Sequence, residues 1–231
     1  MRIILSLFFL VAVLFIGAVF YFFKPAGLGI TYTQENLKSV YSKLNVKFEP
    51  LSPDLIKKGK TLIVAGAHPV DVSFSSEELT AAVDNRRKNY VYFPFRNVQI
   101  RINSDGTVEG AATVNFNDAA NYLVALGVSY EDIVKAAAKF KVPNVNIPIY
   151  LKANGSILNN LGHINIQAAK IANIPVPQNL VNQYGPGVND LVESVIKDRQ
   201  PSYNIEKLEV VDGKVHFKGT SPDKEQAARS L

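Results

Sequence analysis

Residues 98–116 read VQIRINSDGTVEGAATVNF, two runs of alternating apolar residues on either side of a Ser104-Asp105-Gly106 turn. A period of two places every second side chain on the same face of a strand, and Asp-Gly between two such runs favours a hairpin. The stretch therefore predicts a long hairpin whose apolar face carries Val98, Ile100, Ile102, Val108, Gly110, Ala112, Val114 and Phe116. Phe93 and Phe95 are out of phase with this alternation, which predicts a bulge at Arg96-Asn97.

Two further hairpins are predicted downstream. The second joins alternating residues 145–151 to residues 164–168 through a turn at Asn154-Gly155, and its return strand runs on through Ile171 and Ile174 to Pro175 and Pro177. The third joins residues 205–210 to residues 215–217 through Asp212-Gly213. Helical periodicity fills the intervals, over residues 117–140 with a division near Gly127 and over residues 180–196 with an interruption at Gly185-Pro186-Gly187. This order predicts an α+β fold, with a curved antiparallel sheet of three long hairpins packed on helices.

The segments on either side of the hairpins are shorter. Residues 37–44 predict a helix capped by Thr33, residues 61–64 and 70–74 predict short strands, and residues 77–85 predict a helix capped by Ser75 or Ser76. The residues after Ser221 are polar and charged, which predicts a disordered tail over residues 221–231.

An uncharged apolar run occupies residues 3–23 at the start of the chain. As a helix it would extend about 31 Å, enough to cross the hydrocarbon of a bilayer. A cleaved signal peptide is the alternative, but its apolar region is usually shorter and ends in small residues, whereas this run ends in Phe20-Tyr21-Phe22-Phe23. We therefore expect a signal-anchor transmembrane helix over residues 1–24, a membrane-proximal helix and connector over residues 25–69, and an α+β domain over residues 70–220. The expected location is a single-pass membrane protein with its large domain outside the cytoplasm.

Composition and motifs argue against several functions. The chain has no cysteine, which removes disulfides, thiolate catalysis and thiolate metal sites. Its net charge of +5 is scattered and gives no reason to expect nucleic acid as a partner. The sequence lacks the nucleophile-elbow, phosphate-loop, dinucleotide and His-Glu-x-x-His motifs, and the three histidines, His68, His163 and His216, are far apart. We therefore expect neither an enzyme, nor a metal site, nor a cofactor.

Several segments together resemble the YpmS-like family of membrane-anchored bacterial envelope proteins, and more broadly the tubular lipid-binding proteins. They are the amino-terminal anchor, VSFSSEEL at residues 72–79, the hairpin through Asp105-Gly106, IPIYL at residues 147–151, IPVP at residues 174–177 and LEVVDGKV at residues 208–215. The resemblance implies a curved sheet around a helix that encloses an elongated apolar groove for acyl chains. Residues 70–220 would then be a lipid-binding-like domain, with the membrane bilayer and a bound lipid as its partners.

Two functions follow from these observations. The first is non-catalytic lipid binding or handling beside the membrane, in which nine apolar residues line an acyl site: Phe93, Phe95, Val98, Ile100, Val114, Ile147, Ile149, Ile164 and Ile166. The basic run Arg86, Arg87 and Lys88 would then meet a lipid headgroup. Gly110 and Ala112 favour a groove, because they leave the middle of one strand without bulk. The alternative is a structural or protein-interaction module of an envelope assembly, with a protein partner and a solid core, because alternating apolar residues are more often simply core.

Overall fold

The computed structural model describes residues 24–125, 129–140 and 145–229. Within these residues the helices are α1 (Gln34–Leu44), α2 (Pro53–Lys57), α3 (Ser76–Asp84), α4 (Arg86–Asn89), α5 (Phe116–Ala125), α6 (Tyr130–Phe140), α7 (Gln178–Tyr184) and α8 (Pro186–Lys197). The strands are β1 (Lys47–Pro50), β2 (Leu62–Ala65), β3 (His68–Phe74), β4 (Phe95–Ile102), β5 (Val108–Asn115), β6 (Asn146–Leu158), β7 (Leu161–Ile171), β8 (Ile174–Pro175), β9 (Asn204–Val211), β10 (Lys214–Ser221) and β11 (Lys224–Ala227). The α+β class is confirmed.

The main sheet is antiparallel and contains eight of the described strands. Its path is β3-β10-β9-β6-β5-β4, while β7 pairs with the other side of β6 and β8 pairs with β7. All three predicted hairpins are present, as β4–β5, β6–β7 and β9–β10. The predicted bulge is confirmed as well, because the register of β4 shifts between Arg96 and Gln99, where Asn97 has a φ of 52°.

The turn of the second hairpin differs from its prediction. Strand β6 runs through Asn154-Gly155 without a break, and the chain turns at Asn159-Asn160, where φ is 50° and 68°. Two consecutive left-handed residues are what a two-residue hairpin turn requires, and asparagine tolerates them. The return strand ends at Ile171, and a second two-residue turn at Ala172-Asn173 folds β8 back onto it.

Both ends of the path of the main sheet, β3 and β4, meet at helix α3. Ser76 lies two residues beyond Phe74 at the end of β3, yet its hydroxyl accepts a hydrogen bond from the backbone N–H of Ile102 in β4 at 2.9 Å. Further along α3, Thr80 and Asp84 accept the next two outward N–H groups of β4. The helix therefore satisfies the backbone of an edge strand that would otherwise be open.

The hydrophobic core lies between the main sheet and helices α1 and α3. Val40 of α1 packs with Val70, Phe74 and Phe217 of strands β3 and β10. Both helices begin with the predicted caps, because Thr33 and Ser75 each form a reciprocal capping box with the residue three positions later. Helix α1, which lies in the segment expected to be a connector, thus contributes to the same core as the strands that follow it.

The tail contains a strand instead of the predicted disorder. Strand β11 pairs in parallel with β1 and antiparallel with β2, forming a three-stranded sheet within the described residues. Its sequence, KEQA, carries no apolar signal, yet Glu225, Ala227 and the following Ala228 are buried. Backbone pairing on both sides and an ion pair of Glu225 with Arg86 hold this segment. Neither the strand pairing nor the ion pair can be predicted from the composition of this segment.

Across the described parts of the chain, no helix is long and apolar enough to span a bilayer. The anchor expected over residues 1–24 lies outside the described residues except for Lys24, and the division expected near Gly127 also lies outside them.

Candidate functional site

An apolar groove of about 590 Å³ lies between strand β7 and the helix pair α7–α8. No charged side chain is among the residues that line it: Ile147, Ile166, Ala169, Ile171, Val176, Leu180, Val181, Tyr184, Gly185 and Val188. Sites for small apolar molecules typically measure about 300–1,000 Å³ and have such linings. The groove therefore has the size and chemistry of a site for a hydrocarbon chain.

Helix α8 is fastened to the edge of β7 by side-chain hydrogen bonds. Asn189 accepts a hydrogen bond from the backbone N–H of Ile164 and donates one to its carbonyl oxygen, at 2.9 and 3.1 Å. Glu193, one turn further along α8, accepts the N–H of Gly162 at 2.9 Å. Pro186 has no N–H with which to continue the hydrogen bonding of α7, so the helix is interrupted there, and residues of α7, α8 and β7 together line the groove.

A second apolar hollow of about 450 Å³ lies in the core, between helices α1 and α3 and strands β3, β9 and β10. Its walls include Leu44, Phe74, Leu208 and Phe217, and Arg86 and Glu225 contribute charged groups. The guanidinium of Arg86 donates a hydrogen bond to Oε1 of Glu225, and the hydroxyl of Tyr203 donates to Oε2 at 3.3 Å. The charges of this hollow are thus paired with each other.

Burial governs the electrostatics of this pair. The Glu225 side chain is 1% exposed and that of Arg86 is 23% exposed. Burial by itself would lower the pKa of Arg86, but the adjacent Glu225 carboxylate outweighs it and leaves that pKa above its ordinary value. Burial, reinforced by Glu225, also raises the pKa of Tyr203. Arg86 therefore stays charged, with its charge committed to Glu225.

Only three of the nine predicted lining residues line the groove or the core hollow. Ile147 and Ile166 line the groove, and Ile164 lines a smaller polar recess beside it. Phe93 lines the core hollow, where its ring lies 5.3 Å from that of Phe95 between centroids. The other four residues, Val98, Ile100, Val114 and Ile149, lie on strands β4 to β6 and line neither hollow.

Strand β5 has open space beside Gly110, as the sequence predicts. A Cβ placed on Gly110 would meet no atom within 4 Å. Gly110 pairs with Ile100 on one side and with Leu151 on the other, and Leu151 is an exposed residue. The middle of this sheet face therefore has room above it.

The three predicted headgroup residues do not form one basic surface. Arg86 points inward to Glu225, whereas Arg87 donates a hydrogen bond to Asp118 at 3.0 Å. Asp118 also accepts a hydrogen bond from Arg96 at 2.6 Å. Lys88 is exposed to solvent.

The sequence analysis missed the helical wall of the groove and the carboxylate of the core hollow. Leu180, Val181 and Tyr184 do show an apolar helical face, but the same spacing predicts ordinary core packing. Glu225 lies in the segment that was expected to be disordered. The local sequence contains no signal for its burial.

Polar clusters elsewhere have structural partners. Glu109, which is buried, accepts hydrogen bonds from Arg101, Asn103 and Tyr150 at 2.8 to 3.0 Å. His68 lies 2.7 Å from Asp223, and His216 lies at the same distance from Asp71. Within the described residues, no group of three or more His, Cys, Asp or Glu side chains is placed to hold a metal ion.

The Glu109 cluster predicts a pH dependence of stability. Burial raises the pKa of Glu109, but the hydrogen bonds from Asn103, Arg101 and Tyr150 outweigh it and leave the pKa below its ordinary 4.5. Conversely, burial and Glu109 raise the pKa of Tyr150 to about 12. Because the folded-state pKa of Glu109 is depressed, its contribution is present above pH 4.5 and is lost as the pH falls through the lower folded value.

Glu109→Gln is therefore expected to be less stable than the native chain at pH 7 by about 1–2 kcal/mol. The difference should shrink as the pH falls from about 4.5 through the lower folded pKa of Glu109, because the carboxyl is protonated first in the unfolded chain and then in the native one. Guanidinium unfolding measured between pH 3 and pH 7 checks this. A difference that stays constant over that range would contradict the assignment.

Comparisons with family models, with curated proteins and with solved structures found no match to this chain. The resemblance to the YpmS-like family stays an expectation carried by the residues quoted for it.

Proposed function

We propose that this chain is a non-catalytic, membrane-anchored lipid-binding protein outside the cytoplasm, and that an acyl chain occupies the groove between β7 and α7–α8. The observation that carries the proposal is the lining of the groove, in which ten residues contribute no charged side chain. Burying apolar surface is favourable by about 25 cal/mol per Å², so a hydrocarbon chain would gain from entering such a groove.

The rim of the groove supports an amphipathic ligand over a purely apolar one. Ile171 and Tyr184 line the groove and are 53% and 48% exposed, so the groove meets solvent at these residues. A lipid could place its tail along the groove and keep its headgroup in water, with no buried charge to neutralise. The core hollow is a weaker candidate for a lipid site, because its charged residues Arg86 and Glu225 are already paired with each other.

Photo-crosslinking of the full chain in vesicles tests the proposal. The vesicles contain a phospholipid with a diazirine near the end of one acyl chain, and mass spectrometry locates the labelled peptides. We expect labelling in peptides that cover residues 161–188. If these peptides carry no label above that of the rest of the domain, the groove is not an acyl site.

A matched pair of variants on α7 sharpens the test. Leu180→Trp places a bulky ring in the groove, whereas Gln183→Trp places the same ring on an exposed position of the same helix. We expect Leu180→Trp to lose most of the groove labelling and Gln183→Trp to retain it, with circular dichroism reporting that both are folded. Equal labelling of the two variants would overturn the proposed site, and an absence of lipid labelling throughout the domain would favour the alternative of a protein-interaction module.

A further inference from the structure

The described chain begins beside a tight turn at one end of the groove. The side-chain amide of Asn173 donates a hydrogen bond from Nδ2 to the carbonyl oxygen of Lys24 at 2.8 Å. Asn173 and Ala172 form the two-residue turn between β7 and β8, with φ values of 59° and 51°. The apolar run of residues 3–23 therefore joins the domain at this turn.

The turn presents two large apolar side chains to solvent. Ile171 and Ile174 are directly paired across the turn, so their side chains lie next to each other on one face. They are 53% and 55% exposed, a far larger fraction than that of side chains packed in the core.

The charges near this turn suit a lipid headgroup region. Lys24 is exposed, and so is Lys170, which pairs with Pro175 next to the turn. The Lys170 ammonium lies 5.2 Å from the centre of the Tyr150 ring. Basic side chains around an apolar tip are typical of segments that rest in the interface of a membrane, where cations meet phosphate groups.

We infer that the β7–β8 turn inserts Ile171 and Ile174 into the interface of the same bilayer that holds residues 3–23. The inference rests on the membrane anchoring proposed above. A span that ends at residue 23 places Lys24 at headgroup level, and Ile174 follows the residue bonded to Lys24, so the turn lies within about 10 Å of that level. Because Ile171 also lines the groove, the groove then opens directly onto the membrane and a lipid can enter without crossing water.

Tryptophan fluorescence offers a test without background, because the chain contains no tryptophan. The probe variant is Ile174→Trp. The matched control is Leu161→Trp, whose native side chain is 54% exposed and lies at the opposite end of β7, about 33 Å away along the strand. Each full-length variant is reconstituted into vesicles of zwitterionic and anionic phospholipid, with and without brominated acyl chains.

We expect brominated lipid to reduce the emission of Ile174→Trp at least about twofold and to leave Leu161→Trp nearly unchanged, because only the turn reaches the interface. Ile171→Trp serves as a second probe should Ile174→Trp fail to fold. An unquenched turn would overturn the inference, and a blue-shifted but unquenched turn would show that a second copy or another protein covers it. Equal quenching at both ends of β7 would also overturn it, because the strand would then lie flat on the membrane.

The outcome is independent of the crosslinking result. Quenching at residue 174 without acyl labelling of the groove would keep the membrane contact and remove the proposed lipid site. Labelling of the groove without quenching would keep the lipid site and remove the membrane contact.

Discussion

Glu225→Gln is expected to lower the free energy of unfolding by about 3–5 kcal/mol, although it only replaces the carboxylate by an amide of nearly the same shape. The reason is that Arg86 would keep its charge in the core without its counterion, and the desolvation of that charge would go uncompensated. Tyr203 would also lose the charged acceptor of its hydroxyl. Guanidinium unfolding of the full chain in detergent, followed by circular dichroism, measures the change.

A neighbouring ion pair supplies the control. Glu49 pairs with Lys224 at 2.9 Å, on the same small sheet as Glu225, but both side chains are more than a third exposed. Glu49→Gln should therefore lower the free energy of unfolding far less than Glu225→Gln does. Equal effects of the two substitutions would contradict the description of Glu225 as a buried partner.

A double substitution separates the ion pair from other roles of Glu225. Arg86→Met removes the buried charge, so Glu225→Gln in that background should cost much less than it does alone. If the two effects simply add, the stability contributed by Glu225 does not come from Arg86.

Gly155→Ala is expected to lower the free energy of unfolding by about 2–3 kcal/mol. Gly155 has a φ of 144°, in a region that side chains other than hydrogen rarely permit. An added Cβ would overlap the carbonyl oxygen of His163 and approach the Cα of Ile164 to 2.8 Å. Since both contacts are backbone atoms of the paired strand, the hairpin itself must shift.

Gly110→Ala is the matched control, because Gly110 lies in β5, the strand that pairs with β6. Its Cβ would meet no atom within 4 Å, and alanine is favoured over glycine inside a strand by about 0.5–1 kcal/mol. We therefore expect opposite signs, with Gly110→Ala slightly stabilising and Gly155→Ala destabilising in the same unfolding experiment. A large loss of stability for Gly110→Ala would show that the space over β5 is filled.

The two hairpin predictions show where local sequence suffices. In the first hairpin, the phase difference between Phe95 and Val98 predicted the bulge at Arg96-Asn97, because strand periodicity is a local property. In the second, Asn154-Gly155 and Asn159-Asn160 both have residues that favour turns. In the structure, Gly155 lies in β6, where the absence of a side chain lets the backbone of β7 come close. This need for glycine arises only from the pairing of the two strands, so the sequence around Gly155 does not reveal it.

The candidate site, too, was predicted only in part from the local sequence. Ile147 and Ile166 were predicted as lining residues from strand alternation alone, but the wall opposite them comes from α7 and α8. The position of that wall depends on Asn189 and Glu193, whose side chains accept hydrogen bonds from backbone N–H groups of β7. Neither bond has a signature in the local sequence, because both partners are common residues of an exposed helix face.

By itself, the sequence determined the α+β class, the three hairpins, the caps of α1 and α3 and the bulge in β4, because periodicity, capping and turn chemistry act between residues close in the chain. Only the tertiary structure decided that α3 closes the edge of β4, that Glu225 in a polar tail becomes a buried partner of Arg86, and that a groove separates β7 from α7. These features depend on contacts between residues 14 to 139 positions apart, and such contacts stabilise the fold only once the sheet has formed.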